Sequence, residues 1–205
     1  EINKIFSKNL FNKYLNLFNS ENSHVFELDG FGSTTHVSVL DKNGNAASIT
    51  TTNGEGCGYI IPEFGIMMNN MLGEEDLNPF GFHKWRKRRR LPTMISPTII
   101  TDKNNPKFIL GSGGSNRIRS ANVQVILNLL HKGMMLEEAI SQPRIHLEGD
   151  TLFCEPDINL ASANKLKGIK INHFTSQNVF FGGVNAVSSK EAVGDERRGG
   201  FGLID

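Results

Sequence analysis

Gly32-Ser33-Thr34-Thr35-His36 leads from small, pliable residues straight into an alternating segment. A hydroxyl residue at such a point can attack the carbonyl that precedes it. Cleavage of the Ser33–Thr34 bond leaves Thr34 with a free α-amine. An ordinary pKa of about 8 suits that amine to act as base for the hydroxyl of the same residue. The plainer reading of Gly-Ser-Thr-Thr is a loop before a strand, and these residues alone favour it.

A second stretch, Gly111-Ser112-Gly113-Gly114-Ser115-Asn116-Arg117-Ile118, follows a strand pattern and precedes a helical one. Successive backbone N–H groups there can form an anion nest or an oxyanion hole. The spacing fits neither the phosphate loop of nucleotide triphosphatases nor the dinucleotide fingerprint, and a glycine turn is the simpler account. Arg86-Lys87-Arg88-Arg89-Arg90 is a basic run after Trp85, with Glu74-Glu75-Asp76 shortly before it. The 22 Lys and Arg are balanced by 21 Asp and Glu, for a net charge of +1. A solvated, partly self-paired loop is therefore expected, and no nucleic-acid partner. The 6 His form neither HxxxH nor HExxH, so no metal and no cofactor are expected. Cys57 and Cys154 make no CxxC pair and no disulfide framework, and read as small hydrophobes. Asn69-Asn70 stands at a strand end, where a ligand contact and a turn are equally plausible.

The 205 residues, 38% of them hydrophobic, suffice for one domain with a short appendage. No apolar run approaches the roughly 18 residues of a membrane span. The chain starts at Glu1, as a processed product or a fragment would, and its compartment is not read from these residues. Residues 1–20 carry apolar side chains at helical spacing, and a polar, glycine-containing linker follows to Ser33. Thr34–Asp41 and Ala46–Thr52 alternate as strands around Asn43-Gly44, the signature of a hairpin. A short strand is expected over Gly65–Asn70, and a second hairpin over Pro97–Thr101 and Lys107–Leu110. Helices are expected over Ala121–Leu130, stopped by Lys132-Gly133, over Leu136–Ser141 before Pro143, and over Leu160–Lys167. A final strand covers Val179–Ser188. Strands arriving as hairpins favour an antiparallel α+β arrangement over a doubly wound sheet.

Thr34-Thr35-His36-Val37-Ser38-Val39-Leu40-Asp41-Lys42-Asn43-Gly44-Asn45-Ala46 resembles the start of the small subunit of γ-glutamyltranspeptidases, the glutathione hydrolases. Gly65–Asn70, Ser96-Pro97-Thr98-Ile99 with Gly111–Ile118 after it, and Pro143-Arg144-Ile145-His146 agree with it in order and approximate spacing. The resemblance covers nearly all of 34–205. Residues 1–33 resemble the end of the family's large subunit, up to its self-cleavage point. It implies the αββα sandwich of N-terminal-nucleophile hydrolases, with antiparallel sheets between helical layers. It also implies self-cleavage between Ser33 and Thr34, followed by attack of Thr34 on γ-glutamyl amides such as glutathione. Water or an acceptor amine then resolves the acyl-enzyme.

By matching positions, Thr52 holds the nucleophile, and Asn53 falls where the family binds the substrate carboxylate. Gly114 and Ser115 match the paired glycines whose N–H groups face the oxyanion, and a shift of one residue makes the pair Gly113 and Gly114. Main-chain donors make Ser115 acceptable there. The glutamyl-binding set departs from the family. Met71 stands where a hydrogen-bonding residue is usual, while Glu74 keeps a carboxylate for the α-amine. Thr93-Met94 replaces a pair of serines, so Met94 loses a hydroxyl that Thr93 retains. The large-subunit arginine that holds the glutamyl carboxylate is not in these residues. The implied partner is a large-subunit portion of the same precursor, with a higher oligomer left open. An acylase taking another acyl group, and a non-maturing binding or assembly module, are the competing readings.

Overall fold

The structure is a computed structural model and describes residues 34–160 and 168–205. The helix read over 1–20, the linker before Thr34 and nearly all of the helix read over 160–167 lie outside the described residues.

Strands β1 (Thr34–Leu40) and β2 (Ala46–Thr52) form the expected hairpin, in register from Thr34 opposite Thr52 to Leu40 opposite Ala46. Its turn is built locally. Asp41 Oδ1 accepts from the N–H groups of Asn43 and Asn45, both at 2.8 Å, and Gly44 supplies a φ of +83°. Ile60–Ile61 (β3) and Ile66–Met67 (β4) pair as a small ribbon, so the strand expected over Gly65–Asn70 is only two residues long. The second hairpin, β5 (Thr98–Asp102) and β6 (Asn105–Gly113), turns at Lys103 and Asn104, whose φ values are +48° and +71°. β6 extends beyond the expected Leu110 because its last residues pair with β10 (Gly183–Ser188), which in turn pairs with β11 (Ala192–Val193). The resulting sheet has the order β11-β10-β6-β5.

Helix α1 (Arg117–Leu130) starts four residues before the expected Ala121. Its first turn continues from a loop in which Gly114 and Ser115 carbonyls accept from Arg117 and Ile118 N–H, and flanking arginines hide the buried Ile118 from a periodicity count. Helix α2 (Leu136–Ser141) is as expected. The strand read from Val179 begins only at Gly183. Asn178 Oδ1 captures the Phe180 N–H and winds residues 179–181 into a single 3₁₀ turn, which Gly182 ends at φ +77°. The sequence did not announce β7 (Ile145–Glu148), β8 (Thr151–Cys154) and β9 (Lys170–His173), in which β8 and β9 run parallel.

The described residues form three layers. Leu110, Val184 and Ala186 of the four-stranded sheet meet Ala121, Val125, Leu129, Leu136 and Ile140 of the two helices in the main core. On the other face of that sheet lies the β1–β2 hairpin, and the join is polar. Ser48 Oγ donates to the Leu110 carbonyl and accepts from Thr98 N–H, at 3.0 and 3.1 Å. Asn185 Nδ2 donates to the His36 carbonyl at 3.0 Å. The His36 ring lies against Gly111, where a Cβ would collide with it. Directional bonds specify this layer's register more tightly than apolar contact alone. The hairpin's outer face carries Val37, Val39 and Ile49, each half exposed. No helix among the described residues is long and apolar enough to cross a membrane.

Candidate active site

Alternation along β1 and β2 turns Thr34 and Thr52 to the same face, and antiparallel register sets them opposite each other at the hairpin's open end. Their hydroxyl oxygens are 2.9 Å apart. Thr52 Oγ1 also accepts from the Gly54 N–H at 3.0 Å. That bond leaves Thr52 a proton and a lone pair to share with Thr34.

The end of β6 comes up beneath this pair. A Cβ on Gly113 would stand 2.8 Å from the Thr34 carbonyl oxygen and 3.4 Å from Thr34 Cβ. The chain then leaves the sheet through Gly114, at φ +131°, and Ser115, at φ +53°. A side chain on Gly114 would also press on Gly182 Cα at 2.9 Å, so both conformation and space require glycine. The turn bonds here run from Arg117 N–H to the Gly114 carbonyl and from Ile118 N–H to the Ser115 carbonyl. They do not use the N–H groups of Gly114 and Ser115. Ser115 Oγ donates to Asp76 Oδ2 at 3.0 Å, which ties this loop to the acidic segment.

Thr34 and Thr52 line a cleft of about 550 Å³ together with Gly114, Ser115, Glu74, Met71 and Met94. Among the described residues, those expected from the sequence are thus largely gathered at one place, with two exceptions. Asn53 lies outside the lining: its carbonyl accepts from Gly56 and Asn70 N–H, both at 3.0 Å, while its side chain is exposed. Thr93 is exposed as well, with its hydroxyl accepting from Ile95 N–H at 3.1 Å. Met94 is buried with Leu77 and Ile118, and Met71 packs on them, so this wall is apolar. Of the two alternative glycine pairs, Gly114 and Ser115 line the cleft and Gly113 stays in the sheet.

Glu74 sits beside Gly54, its Oε1 2.7 Å from the point a Cβ there would occupy. Burial raises its pKa, and the charges of Asp76 and Glu55 raise it further. Asn70 Oδ1 accepts from Glu55 N–H at 2.7 Å and braces this wall. Arg86–Arg90 are exposed and form no ion pair among the described residues, so the expected partial self-pairing is not seen.

Sequence reasoning missed Glu55, Asp76, Arg117, Glu148 and Arg198, all of which line the cleft. It also missed the buried group that supports its rim. Arg144 Nη2 donates to Asp195 Oδ2 at 2.6 Å, and Arg197 bonds Glu155 through Nη2 and Nε at 2.6 and 2.8 Å. The one local signal was Asp195-Glu196-Arg197-Arg198, charged residues with an Asp placed to cap a turn.

Paired threonines on a hairpin, packed against an antiparallel sheet that carries helices on its far face, define an α+β fold of the N-terminal-nucleophile hydrolase class. The γ-glutamyltranspeptidase of Pseudomonas nitroreducens complexed with L-DON has this fold: the TM-score is 0.68 at 27% identity, over 83% of this chain and 99% of that one. The γ-glutamyltranspeptidase family profile matches residues 3–203, and the chain belongs to that family. The glutathione hydrolase proenzyme of Bacillus subtilis strain 168 is 31% identical over 181 residues, covering 84% of this chain and 31% of that protein. The acylase ACY 1 proenzyme of Pseudomonas sp. strain SE83 is 35% identical over 159 residues, or 76% of this chain and 28% of that protein. The chain therefore spans about a third of the length of the curated relatives it matches.

Proposed function

We propose that this chain is the catalytic portion of a threonine N-terminal-nucleophile amidohydrolase and acyltransferase that acts on γ-glutamyl amides such as glutathione. In this reading residues 1–33 end a large-subunit portion and 34–205 form the small-subunit portion. Self-cleavage between Ser33 and Thr34 releases the α-amine. The observation that carries the reading is the 2.9 Å approach of Thr34 and Thr52 hydroxyls within a cleft rimmed by Gly114 and Ser115.

The chemistry runs in two steps. The α-amine takes the proton of Thr34 Oγ1 as it attacks the amide carbonyl, and Thr52 orients that hydroxyl. The N–H groups of Gly114 and Ser115 face the developing oxyanion. The amine leaves with the proton, and water or an acceptor amine then opens the ester. Glu74 receives the glutamyl α-ammonium, for which a carboxylate on the far side of Thr52 is suited. Asn53 and Thr93 belong to this reading only through loop movement, since their side chains lie outside the cleft lining. A large-subunit portion of the same precursor supplies the carboxylate grip, and the half-exposed Val37, Val39 and Ile49 give it an apolar face to cover.

The test is N-terminal and intact-mass analysis of protein incubated at neutral pH, followed by hydrolysis of γ-glutamyl 4-nitroanilide. The expected result is a fragment beginning at Thr34 and turnover that follows its appearance. A chain that stays whole and inert removes the reading and favours the binding or assembly module.

A second reading, an acylase for a different acyl group, draws on Met71 and Met94 in the cleft wall and on the likeness to the ACY 1 proenzyme. Faster hydrolysis of an apolar acyl anilide than of the γ-glutamyl one selects it.

A further inference from the structure

Arg198 reaches the cleft from the opposite end of the sequence to Thr34. It ends the 3₁₀ turn Glu196–Arg198, whose base is locked by the Asp195 cap and by the buried Arg197. Its stem lies over β10: a Cβ on Gly183 would meet Arg198 Cδ and Cγ at 2.7 and 2.8 Å. Its head crosses to the end of β6. A Cβ on Gly113 would stand 3.5 Å from Nη1 and 3.4 Å from Thr34 Cβ, and one on Gly114 would stand 3.4 Å from Nη2. Three glycines thus leave a channel that delivers a guanidinium beside Thr34.

That guanidinium makes no ion pair and no hydrogen bond among the described residues, and its Nε is buried. Arg117 stands near it, fixed by a 3.2 Å bond from Nε to the Phe180 carbonyl and by stacking 4.8 Å from the Phe180 ring centre. Burial and the repulsion of Arg117 hold the Arg198 pKa down, and the charge of Asp195, out of ion-pair reach and already bonded to Arg144 and Arg197, offsets them only in part. Two neighbouring cations in a partly desolvated rim are unfavourable until an anion lies between them.

The two polarities lie on different flanks of Thr34. Glu74 approaches through Gly54 and Thr52, on the β2 side; Arg198 approaches over Gly113 and Gly183, on the β6 and β10 side. In a γ-glutamyl donor the carboxylate is set back along the acyl chain from the reacting carbonyl. In an amino-acid acceptor it is one carbon from the attacking nitrogen. A cation packed this close to the nucleophile matches the second.

We propose that Arg198, with Arg117 beside it, forms a carboxylate subsite on the acceptor side of Thr34 and selects amines that carry an α-carboxylate. The proposal rests on the reading of Thr34 as the acylated nucleophile. In the transfer step the acceptor nitrogen bonds to the ester carbonyl carbon and the carbon–Oγ1 bond breaks. The proton lost by nitrogen returns to Oγ1 through the Thr34 α-amine. Arg198 moves no proton; it holds the carboxylate.

The test compares glycine with glycinamide as acceptors for matured protein acylated by γ-glutamyl 4-nitroanilide, with products resolved by mass. The expected result is a preference for glycine in kcat/KM that falls roughly tenfold or more in Arg198→Gln and is partly kept in Arg198→Lys. An equal fall for both acceptors, or an unchanged ratio, overturns the subsite. If no γ-glutamyl anilide turns over, the functional reading fails on its own, and ligand-observed NMR decides the subsite. Glycine binding over glycinamide that is lost in Arg198→Gln upholds it, and no preference in the unaltered protein overturns it.

Discussion

Thr34 and Thr52 face each other across the open end of one hairpin, their hydroxyls 2.9 Å apart, and among the described residues only Thr52 is also tied to a backbone N–H, that of Gly54. Thr52 is therefore the fixed member, and Thr34 is held by it.

Removing each hydroxyl separates the roles. Thr34→Ala is expected to stop both self-cleavage and turnover. Thr52→Ala is expected to slow both by roughly tenfold to a hundredfold, the usual worth of one well-placed hydrogen bond to a reacting group. Cleavage followed by gel and mass, beside anilide hydrolysis, checks this, and a normal Thr52→Ala protein would falsify the assignment.

The loop after β6 makes an asymmetric prediction. Gly114→Ala places a Cβ 2.9 Å from Gly182 Cα at a φ of +131°, so it is expected to lower both stability and activity. Ser115→Ala keeps the main-chain donor and loses only the bond to Asp76, and is expected to retain most activity. Urea unfolding and kcat for the two variants distinguish a backbone role from a side-chain one.

His36 ties stability to pH. It is 3% exposed, its ring nitrogens meet the hydroxyls of Thr50 and Ser38, and burial lowers its pKa to about 4. A depressed folded pKa means that the unfolded chain takes up the proton first. The contribution is full above about pH 6.5 and is lost as pH falls toward 4, on the order of 3 kcal/mol across that window. Urea unfolding at pH 7 and pH 5 reads it, and His36→Asn is expected to flatten the slope. An unchanged slope assigns the acid sensitivity to other groups.

The buried set Arg144, Asp195, Glu155 and Arg197 is expected to be intolerant of single changes. Glu155→Gln removes the charge facing Arg197 in a fully buried place, which costs about 3–5 kcal/mol. The same change is expected to disturb acceptor use through Arg198, the next residue of the turn. A loss of under 1 kcal/mol in urea unfolding counts against a tightly coupled network.

The readable parts of this protein are those where neighbours in the chain decide the outcome. Asn43-Gly44 announces the hairpin because a tight turn needs glycine's freedom, and alternation then puts Thr34 opposite Thr52. Leu136–Ser141 is legible for the same reason, bounded by its own stop signals. Val179, Phe180 and Phe181 favour a strand by local preference, and Asn178 overrides it by capping the 3₁₀ turn over residues 179–181.

By itself, the sequence determined the hairpins, the two helices among the described residues, the family and the threonine at the head of β1, because each rests on local pattern or on residues read in order. The tertiary structure decided which groups meet at that threonine. Asn53 and Thr93 match by position yet turn away, because backbone bonds claim their surroundings. Arg198 matches no local pattern yet arrives, because Gly113, Gly114 and Gly183 leave it room and a buried ion network aims it. Space and charge compensation are properties of segments brought together from far apart, and no spacing along one chain encodes them.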